Sequence, residues 1–104
     1  MQVLPEPIDF EWDQGNLDKN WKRHKVSTKE AEETFFNKPV YLFKDTKHSL
    51  LEKRYGFFSY TNNGRLLALV FTIRNNKIRI ITARDIHKKE RIIYEKETKI
   101  NSKI

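Results

Sequence analysis

The fold is decided by the stretch from Arg54 to Ala83, RYGFFSYTNNGRLLALVFTIRNNKIRIITA. Its apolar runs are separated by two turn signals, Asn62-Asn63-Gly64 and Asn75-Asn76, because asparagine tolerates a positive φ and glycine adopts it freely. The stretch therefore predicts three antiparallel strands joined by two tight hairpins. Apolar residues occupy both alternating sets of the middle run, Arg65 to Ile73, so we expect a central strand that is covered on both faces.

The segment before this stretch predicts a short strand and two helices. Apolar and acidic residues alternate over 8–12, which indicates a first strand. Asp13 can cap a helix over 14–24, and the helical spacing groups three of its residues on one apolar side: Leu17, Trp21 and His24. Ser27 and Glu30 form a capping box that begins a second helix. We expect that helix to end near Pro39 and to turn three residues inward: Ala31, Thr34 and Phe35.

Two more elements complete the prediction. A strand covers 40–43, and a polar loop from Lys44 to Lys53 follows it. A third helix covers 85–97, with Ile86, Ile93 and Tyr94 turned inward, and the tail 99–104 is expected to fray. The order β-α-α-β-β-β-β-α predicts an α+β domain with a mainly antiparallel sheet of about five strands, two N-terminal helices and one C-terminal helix.

Length and composition restrict the class of protein. The chain has 104 residues, which predicts a single domain over 1–104 with its core in about 8–96. It has no cysteine, which excludes a disulfide scaffold, a cysteine nucleophile and a cysteine-ligated metal. The first residues do not show the pattern of a signal peptide, and no apolar stretch reaches membrane-spanning length, so we expect a cytoplasmic protein that does not enter a membrane. Without a glycine-rich phosphate loop or a cluster of metal-ligating side chains, we expect no cofactor and no metal.

Positive charge is concentrated in the predicted sheet. Residues 53–91 carry 10 Lys/Arg and 2 Asp/Glu, a net charge of +8, whereas residues 1–52 carry a net −2 and residues 92–104 a net +1. Such a segment attracts polyanions, nucleic acid above all. An acidic protein partner and a solvated basic surface remain alternative explanations.

Five residues are candidates for catalysis. Arg79 interrupts an apolar strand and, if that strand is regular, shares a face with Ile81 and Ala83. A guanidinium there needs a carboxylate or a phosphate partner, unless it faces solvent. Arg84 lies where that strand meets the last helix, and an ordinary polar residue at the start of a helix is the alternative. Arg54 begins the third strand just after Glu52, and a surface ion pair of little energetic value is the alternative role for these two residues. His24 ends a helix, where its protonated form is favoured, and a structural role is the alternative. The other histidines, His48 and His87, lie in the polar loop and in the last helix.

One reaction suits these side chains without a metal ion. In RNA cleavage by the substrate's own 2′-hydroxyl, the nucleophile is already present. The protein need only move one proton in each direction and stabilise charge on the phosphorane. Arginine can supply the stabilisation, and histidine or glutamate can transfer the protons.

Two groups of residues resemble the signature of the BrnT toxins. The first comprises Phe10-Glu11-Trp12-Asp13, then Asn20-Trp21-Lys22-Arg23-His24-Lys25-Val26-Ser27, then Glu32. The second comprises Gly64-Arg65-Leu66-Leu67-Ala68-Leu69-Val70-Phe71-Thr72, then Arg79-Ile80-Ile81-Thr82-Ala83-Arg84, then Glu90-Arg91 and Tyr94. Arg54 matches the arginine of the family's E-R-F stretch. Four positions depart from the family pattern: Arg23 stands for its lysine, Lys25 for its glycine, Lys53 for its glutamate and Tyr55 for its phenylalanine.

The resemblance implies a RelE-like fold and a type II toxin, a metal-independent ribonuclease that stops translation by degrading RNA. It also implies a neutralising antitoxin, BrnA, which binds DNA as a ribbon-helix-helix dimer. This chain would then contact DNA only indirectly, through its complex with the antitoxin. The expected catalytic residues are His24, Glu52, Arg54, Arg79 and Arg84. We expect further RNA contacts from Lys22, Arg23, Arg74, Lys77, Arg91 and Tyr94.

Two functions other than catalysis are open. The basic sheet could bind RNA or an acidic partner without cleaving it, with base stacking on Tyr55, Phe57 and Tyr60, although core packing is the simpler role for these rings. The chain could also serve mainly as a co-repressor paired with its antitoxin. Binding that falls with salt while the RNA stays intact would distinguish a binding module from an enzyme.

Overall fold

A computed structural model of the chain describes residues 3–45 and 52–102. Within these ranges helix α1 spans Gln14–His24, and α2 spans Thr28–Glu33 and continues as one 3-10 turn, Thr34–Phe36. Four strands and a last helix follow: β1 (Tyr41–Lys44), β2 (Tyr55–Tyr60), β3 (Leu66–Arg74), β4 (Lys77–Asp85) and α3 (Lys88–Ser102). The predicted α+β class is confirmed. None of the helices in the described ranges has the length and apolar content of a membrane span.

The sheet has four strands rather than the expected five. Its strands are neighbours in the order β1-β2-β3-β4, and every pair is antiparallel. The predicted strand over 8–12 is reduced to one parallel bridge between Phe10 and Ile78. The Ile78 N–H donates to the Asp9 carbonyl at 2.8 Å, and the Glu11 N–H donates to the Ile78 carbonyl at 2.9 Å. Because the chain enters α1 directly afterwards, the pairing cannot extend further.

Both tight turns form where the sequence predicts them. Asn75 and Asn76 have φ values of 54° and 60°, and Gly64 has a φ of 83°. These left-handed conformations match the right-handed twist of the strands that they join. The turns fix the pairing of β2, β3 and β4, and the expectation that β3 is central is confirmed.

Side chains pack on both faces of the sheet. On the face that we call the α2 face, the core comprises Val26, Ala31, Phe35, Phe57, Leu67, Leu69, Phe71, Ile78, Ile80 and Ala83. On the opposite face, the α3 face, a smaller cluster comprises Phe58, Ala68 and Tyr94, against which Tyr41, Phe43, Leu66 and Ile86 pack. The rings of Phe35 and Phe57 stack at 4.6 Å, which explains the inward position of Phe35.

A bulge in β4 changes which side chains face which side of the sheet. Val70 pairs with Thr82 but Phe71 pairs with Ile80, so Ile81 is an extra residue. The expectation that Arg79, Ile81 and Ala83 share a face is therefore wrong. Ala83 is fully buried in the α2-face core. Arg79 is opposite Thr72 in the β3–β4 pairing, and thus on the other face.

Helix α1 has the predicted bounds, but a different side of it is buried. Asn20 is the buried residue of α1, with its Oδ1 accepting a hydrogen bond from the Ala83 N–H at 3.3 Å. Trp21, predicted on the apolar side, is 52% exposed. The reason is that α1 lies along the outer edge of β4, whose free backbone groups favour a side-chain amide over an indole. The helix ends at Lys25, whose φ of 54° is the left-handed conformation that a glycine adopts more easily.

Helix α3 begins later and extends further than expected. It starts at Lys88 and runs to Ser102, so part of the predicted tail is helical. Tyr94 is buried as predicted, but Ile93 is 43% exposed, contrary to the prediction. The Tyr94 hydroxyl donates to the Pro39 carbonyl at 2.8 Å, which attaches α3 to the segment before β1. The helix covers only part of the α3 face.

Candidate active site

A pocket of about 180 Å³ lies on the α3 face, between the middle of the sheet and the first turn of α3. Its lining residues are Phe43, Asp45, Gly56, Phe58, Ala68, Leu69, Val70, Thr82, Arg84 and Glu90. The Phe43 ring lies against the backbone of Gly56 at the floor of the pocket, in the space that a Cβ of residue 56 would occupy. The pocket therefore combines an apolar floor with a charged edge.

Arg84 is fixed at that edge by a carboxylate of α3. Its Nη1 and Nη2 donate to Glu90 Oε1 and Oε2, both at 2.8 Å. Glu90 also accepts from the His87 N–H at 2.9 Å, so it caps α3 and holds Arg84 at the same time. This bidentate contact lowers the pKa of Glu90 and raises the pKa of Arg84. The guanidinium is thus a permanent and oriented cation.

Arg79 lies on the same face as Arg84 because of the bulge in β4. They are five positions apart, an odd offset that in a regular strand would place them on opposite faces. Their partners in β3 are Thr72 and Ala68, which are four residues apart and so share a face. Arg79 Nη2 donates to Asp13 Oδ2 at 2.6 Å. Asp13 has its pKa lowered chiefly by backbone hydrogen bonds at the start of α1, from Gly15 and Asn16.

Glu52 joins two further arginines. Its Oε1 lies 3.7 Å from Arg54 Nη2, and its Oε2 lies 3.3 Å from Arg74 Nη2. Arg54 precedes Tyr55, which packs on the α2 face, so alternation directs Arg54 to the α3 face. The Arg54 carbonyl accepts from the N–H of Asp45, a residue that lines the pocket. Glu52, Arg54, Arg79 and Arg84 therefore belong to one face of the sheet, and Arg84 is the one of these four that lines the pocket.

His24 is not brought to this pocket. It is absent from the lining residues, and its carbonyl accepts from Arg65 Nη2 at 3.0 Å at the end of α1. Its charge helps to lower the pKa of Asp85, after the larger effect of the Arg65 hydrogen bond. His87, which the sequence did not select, is the described histidine nearest the pocket edge, with its Nδ1 3.7 Å from Glu90 Oε1. His48 lies outside the described residues.

The expected RNA-contact residues are dispersed. Lys22 and Arg23 are exposed on the last turn of α1, away from the pocket. Lys77 lies 3.9 Å from Asp9, and Arg91 lies 3.5 Å from Glu95, both as exposed pairs. Tyr94 is 7% exposed and belongs to the core of the α3 face, so it is a structural residue here. Of this set, only Arg74 joins the cluster around Glu52.

The aromatic residues of β2 have structural roles. Phe57 is buried, Tyr55 stacks on Phe71 at 5.5 Å, and the Tyr60 hydroxyl donates to the Lys38 carbonyl. Core packing, the simpler of the two explanations, is therefore confirmed for Tyr55 and Phe57, whereas Tyr60 is held by its hydrogen bond to the backbone. Sequence reasoning also missed the carboxylates of Asp13 and Glu90. The Asp13 cap was predicted, but nothing in the local sequence pairs it with an arginine 66 residues away.

The family model described as "Ribonuclease toxin, BrnT, of type II toxin-antitoxin system" matches residues 12–90 of this chain. The chain belongs to the BrnT family of ribonuclease toxins. The resemblance seen in the sequence is thereby confirmed, and the family implies an antitoxin partner and an RNA target. The matched range includes Asp13, Arg79, Arg84 and Glu90, the two ion pairs of the α3 face. A search of curated protein sequences found no significant match.

The arrangement suits stabilisation of negative charge. Three guanidiniums, of Arg54, Arg79 and Arg84, lie on the α3 face, and each is oriented by a carboxylate. Arginine does not lose its proton near neutral pH, so these groups can bind phosphate and stabilise a phosphorane but cannot act as bases. Within residues 3–45 and 52–102, no three His, Asp or Glu side chains are grouped in a way that could hold a metal ion.

Proposed function

We propose that this chain is an endoribonuclease that cleaves RNA on the α3 face without a metal ion, by attack of the 2′-hydroxyl on the adjacent phosphate. The observation that carries the proposal is the bulge at Ile81, through which Arg79 and Arg84 share a face with Arg54 and Glu52. An extended RNA strand laid over the pocket would meet cations on several sides. The positive field of these cations steers a polyanion to the face that carries the proposed catalytic residues.

The spacing of the arginines favours more than one phosphate. Arg79 and Arg84 are attached opposite residues four apart on β3, a separation of about 13 Å along the strand. Arg54 directly precedes β2 and Arg79 lies on β4, and because β3 lies between these two strands, about 10 Å divides their backbones. Successive phosphates of one strand can therefore contact different guanidiniums, with Arg84 holding a phosphate next to the scissile one.

The proposed reaction needs one proton acceptor near the arginines. Glu52, between Arg54 and Arg74, is the candidate that takes the proton of the 2′-hydroxyl. The O2′–P bond forms, the P–O5′ bond breaks, and the leaving 5′-oxygen takes a proton from water. Arg54 and Arg79 stabilise the charge on the phosphorane. His24, expected from the sequence to share this work, has no part in the proposal, because within the described residues its imidazole contacts neither Glu52 nor these arginines.

The test is RNA cleavage in EDTA by the purified chain and by an Arg79→Ala, Arg84→Ala double variant. Loss of preorganised donors typically lowers a rate 100-fold or more, so we expect a loss of at least about 100-fold. A Lys29→Ala, Lys96→Ala double variant removes the same charge from exposed positions outside the pocket and should cleave normally. Full activity of the arginine variant would refute the site, and abolition by EDTA would refute metal independence.

We further propose that a BrnA-like ribbon-helix-helix antitoxin neutralises the chain in the cytoplasm, and that DNA is contacted only through that complex. Induced expression of the chain alone should arrest growth, and co-expression of a BrnA-like ribbon-helix-helix protein should restore it. Growth arrest that persists despite a stable complex would contradict neutralisation.

A non-catalytic role as antitoxin-paired co-repressor is the alternative, and one observation favours it. Each candidate arginine is already neutralised by a carboxylate: Arg54 and Arg74 by Glu52, Arg79 by Asp13 and Arg84 by Glu90. A phosphate must compete with these partners. If RNA binds with a strong salt dependence and stays intact, the alternative is correct.

A further inference from the structure

A second concavity, larger than the pocket of the candidate active site, lies between α1 and α2. Its volume is about 480 Å³. Its lining residues are Gln14, Leu17, Asp18, Trp21, Val26, Ser27 and Thr28. Val26 belongs to the α2-face core, so this α1–α2 groove and the candidate active site lie on opposite sides of the sheet.

Trp21 is the dominant apolar side chain of the groove. It is 52% exposed, whereas the indole of Trp12 donates from Nε1 to Glu32 Oε2 at 2.7 Å. The ammonium of Lys25 lies 5.4 Å from the Trp21 ring centroid and covers one face of the ring. A half-exposed tryptophan beside Leu17 and Val26 is typical of the centre of a protein–protein interface.

The rim of the groove is cationic. Lys22 follows the lining residue Asp18 by one helical turn, Lys25 ends α1, and Lys29 follows the lining residue Thr28; all three are exposed. In the described part of the chain, no ion pair includes any of these three lysines. Their charge is thus available to carboxylates of another molecule.

We propose that the α1–α2 groove binds an acidic, amphipathic segment of the antitoxin, an inference that rests on the proposed antitoxin pairing. An apolar side chain of that segment would pack against Trp21 and Leu17, while its carboxylates would face the three lysines. A protein segment fits better than RNA, because the floor is aliphatic at Leu17 and Val26 and one face of the indole is already covered. The partner is then anchored on the side of the sheet opposite the RNA-cleaving face.

The experiment measures affinity for the purified cognate antitoxin by calorimetry, in a chain silenced by Arg84→Ala. Trp21→Ala should weaken binding about 30-fold, the usual cost of truncating a tryptophan at an interface centre. Lys29→Glu reverses the rim charge at a position where glutamate favours the start of a helix, so it should fold and bind more weakly, most clearly at low salt. Ile92→Ala, which truncates a side chain that is 58% exposed on α3, is the matched control and should bind normally.

A second measurement does not depend on removing Trp21. The chain has two tryptophans, so a Trp12→Phe variant keeps only Trp21. Binding of the antitoxin should shift the fluorescence emission of Trp21 to shorter wavelength. An unchanged emission, or equal losses in Trp21→Ala and Ile92→Ala, would overturn the groove assignment. A shift caused by an RNA oligonucleotide instead would assign the groove to RNA and overturn it as well.

The two proposals fail in different ways. Trp21→Ala in the active chain should cleave RNA as the unaltered chain does, because Trp21 lies outside the candidate active site. If the unaltered chain neither cleaves RNA nor binds the antitoxin, the proposed function fails, and the groove proposal fails with it. If the unaltered chain binds the antitoxin tightly and Trp21→Ala binds equally well, only the groove proposal fails.

Discussion

Replacing Arg65 with alanine is expected to lower the free energy of unfolding by about 3 kcal/mol. The Arg65 side chain, which is 27% exposed, connects three elements of the fold. It donates to Asp85 at the end of β4, to Glu30 in the first turn of α2, and to two carbonyls at the end of α1. It therefore fixes the α1–α2 groove relative to the strand that carries Arg84.

The magnitude follows from the exposure of each partner. The Asp85 side chain is 65% exposed, so its contact at 2.7 Å contributes less than about 1 kcal/mol. The Glu30 side chain is 29% exposed and accepts at 3.1 Å, and the carbonyls of His24 and Lys25 accept at 3.0 and 2.9 Å. Each of these contacts contributes about 1 kcal/mol, because forming a hydrogen bond in the protein replaces hydrogen bonds that the same groups make to water.

Urea unfolding followed by circular dichroism measures this loss. Arg65→Lys should retain part of the stability, since one ammonium cannot span all the acceptors of a guanidinium. Arg91→Ala is the control, because it breaks only an exposed pair with Glu95 at 3.5 Å and should cost about 0.5 kcal/mol or less. If Arg65→Ala were destabilised by no more than Arg91→Ala, the connecting role of Arg65 would be refuted.

Three more outcomes are expected. Gly56→Ala should destabilise the chain by about 2 kcal/mol or more in thermal unfolding, because its Cβ would overlap the Phe43 ring; an unchanged melting temperature would contradict the close approach. The pKa values of Glu30 and Glu90 are lowered, so they stabilise the fold above about pH 5 and lose this effect as the pH falls through their native pKa values; urea titrations at pH 6 and pH 3 should show a smaller drop in a Glu30→Gln, Glu90→Gln variant than in the unaltered chain. Ser27→Ala should cost about 1 kcal/mol in urea unfolding, because Ser27 Oγ accepts from the Glu30 N–H at 3.1 Å, and a cost near zero would argue against the capping box.

Features that depend on neighbours in sequence were predictable. The α1 bounds, the Asp13 cap, the capping box at Ser27 and both asparagine turns each involve groups within four residues of one another. Local conformational preferences and capping hydrogen bonds act at that range whatever the rest of the chain does. The same holds for the central position of β3, since apolar residues on both alternating sets require cover on both faces.

The direction in which side chains point was less predictable. Helical spacing predicts that Trp21 lies on the buried side of α1, yet Asn20 is buried and Trp21 is exposed. The amide is buried because it meets the Ala83 N–H on the outer edge of β4, a contact across 63 residues. No helical periodicity contains that information. Likewise, the alternation over 8–12 predicts a strand. The position of α1, which begins directly afterwards, limits the pairing of this segment to one bridge, between Phe10 and Ile78.

For the candidate active site, the sequence by itself determined the types of side chain, and family membership follows from the same residues. It selected Arg79 because a guanidinium in an apolar strand needs an anionic partner, Arg84 because it lies where a strand meets a helix, and Arg54 together with Glu52 as a pair before a strand. Only the tertiary structure decided that they share a face, through one extra residue at Ile81 in the pairing with β3. It also brought Glu90 to Arg84, and it did not place His24 among the residues that line the pocket. The physical reason is that residue chemistry is local, whereas strand register is set by pairing between segments distant in the chain.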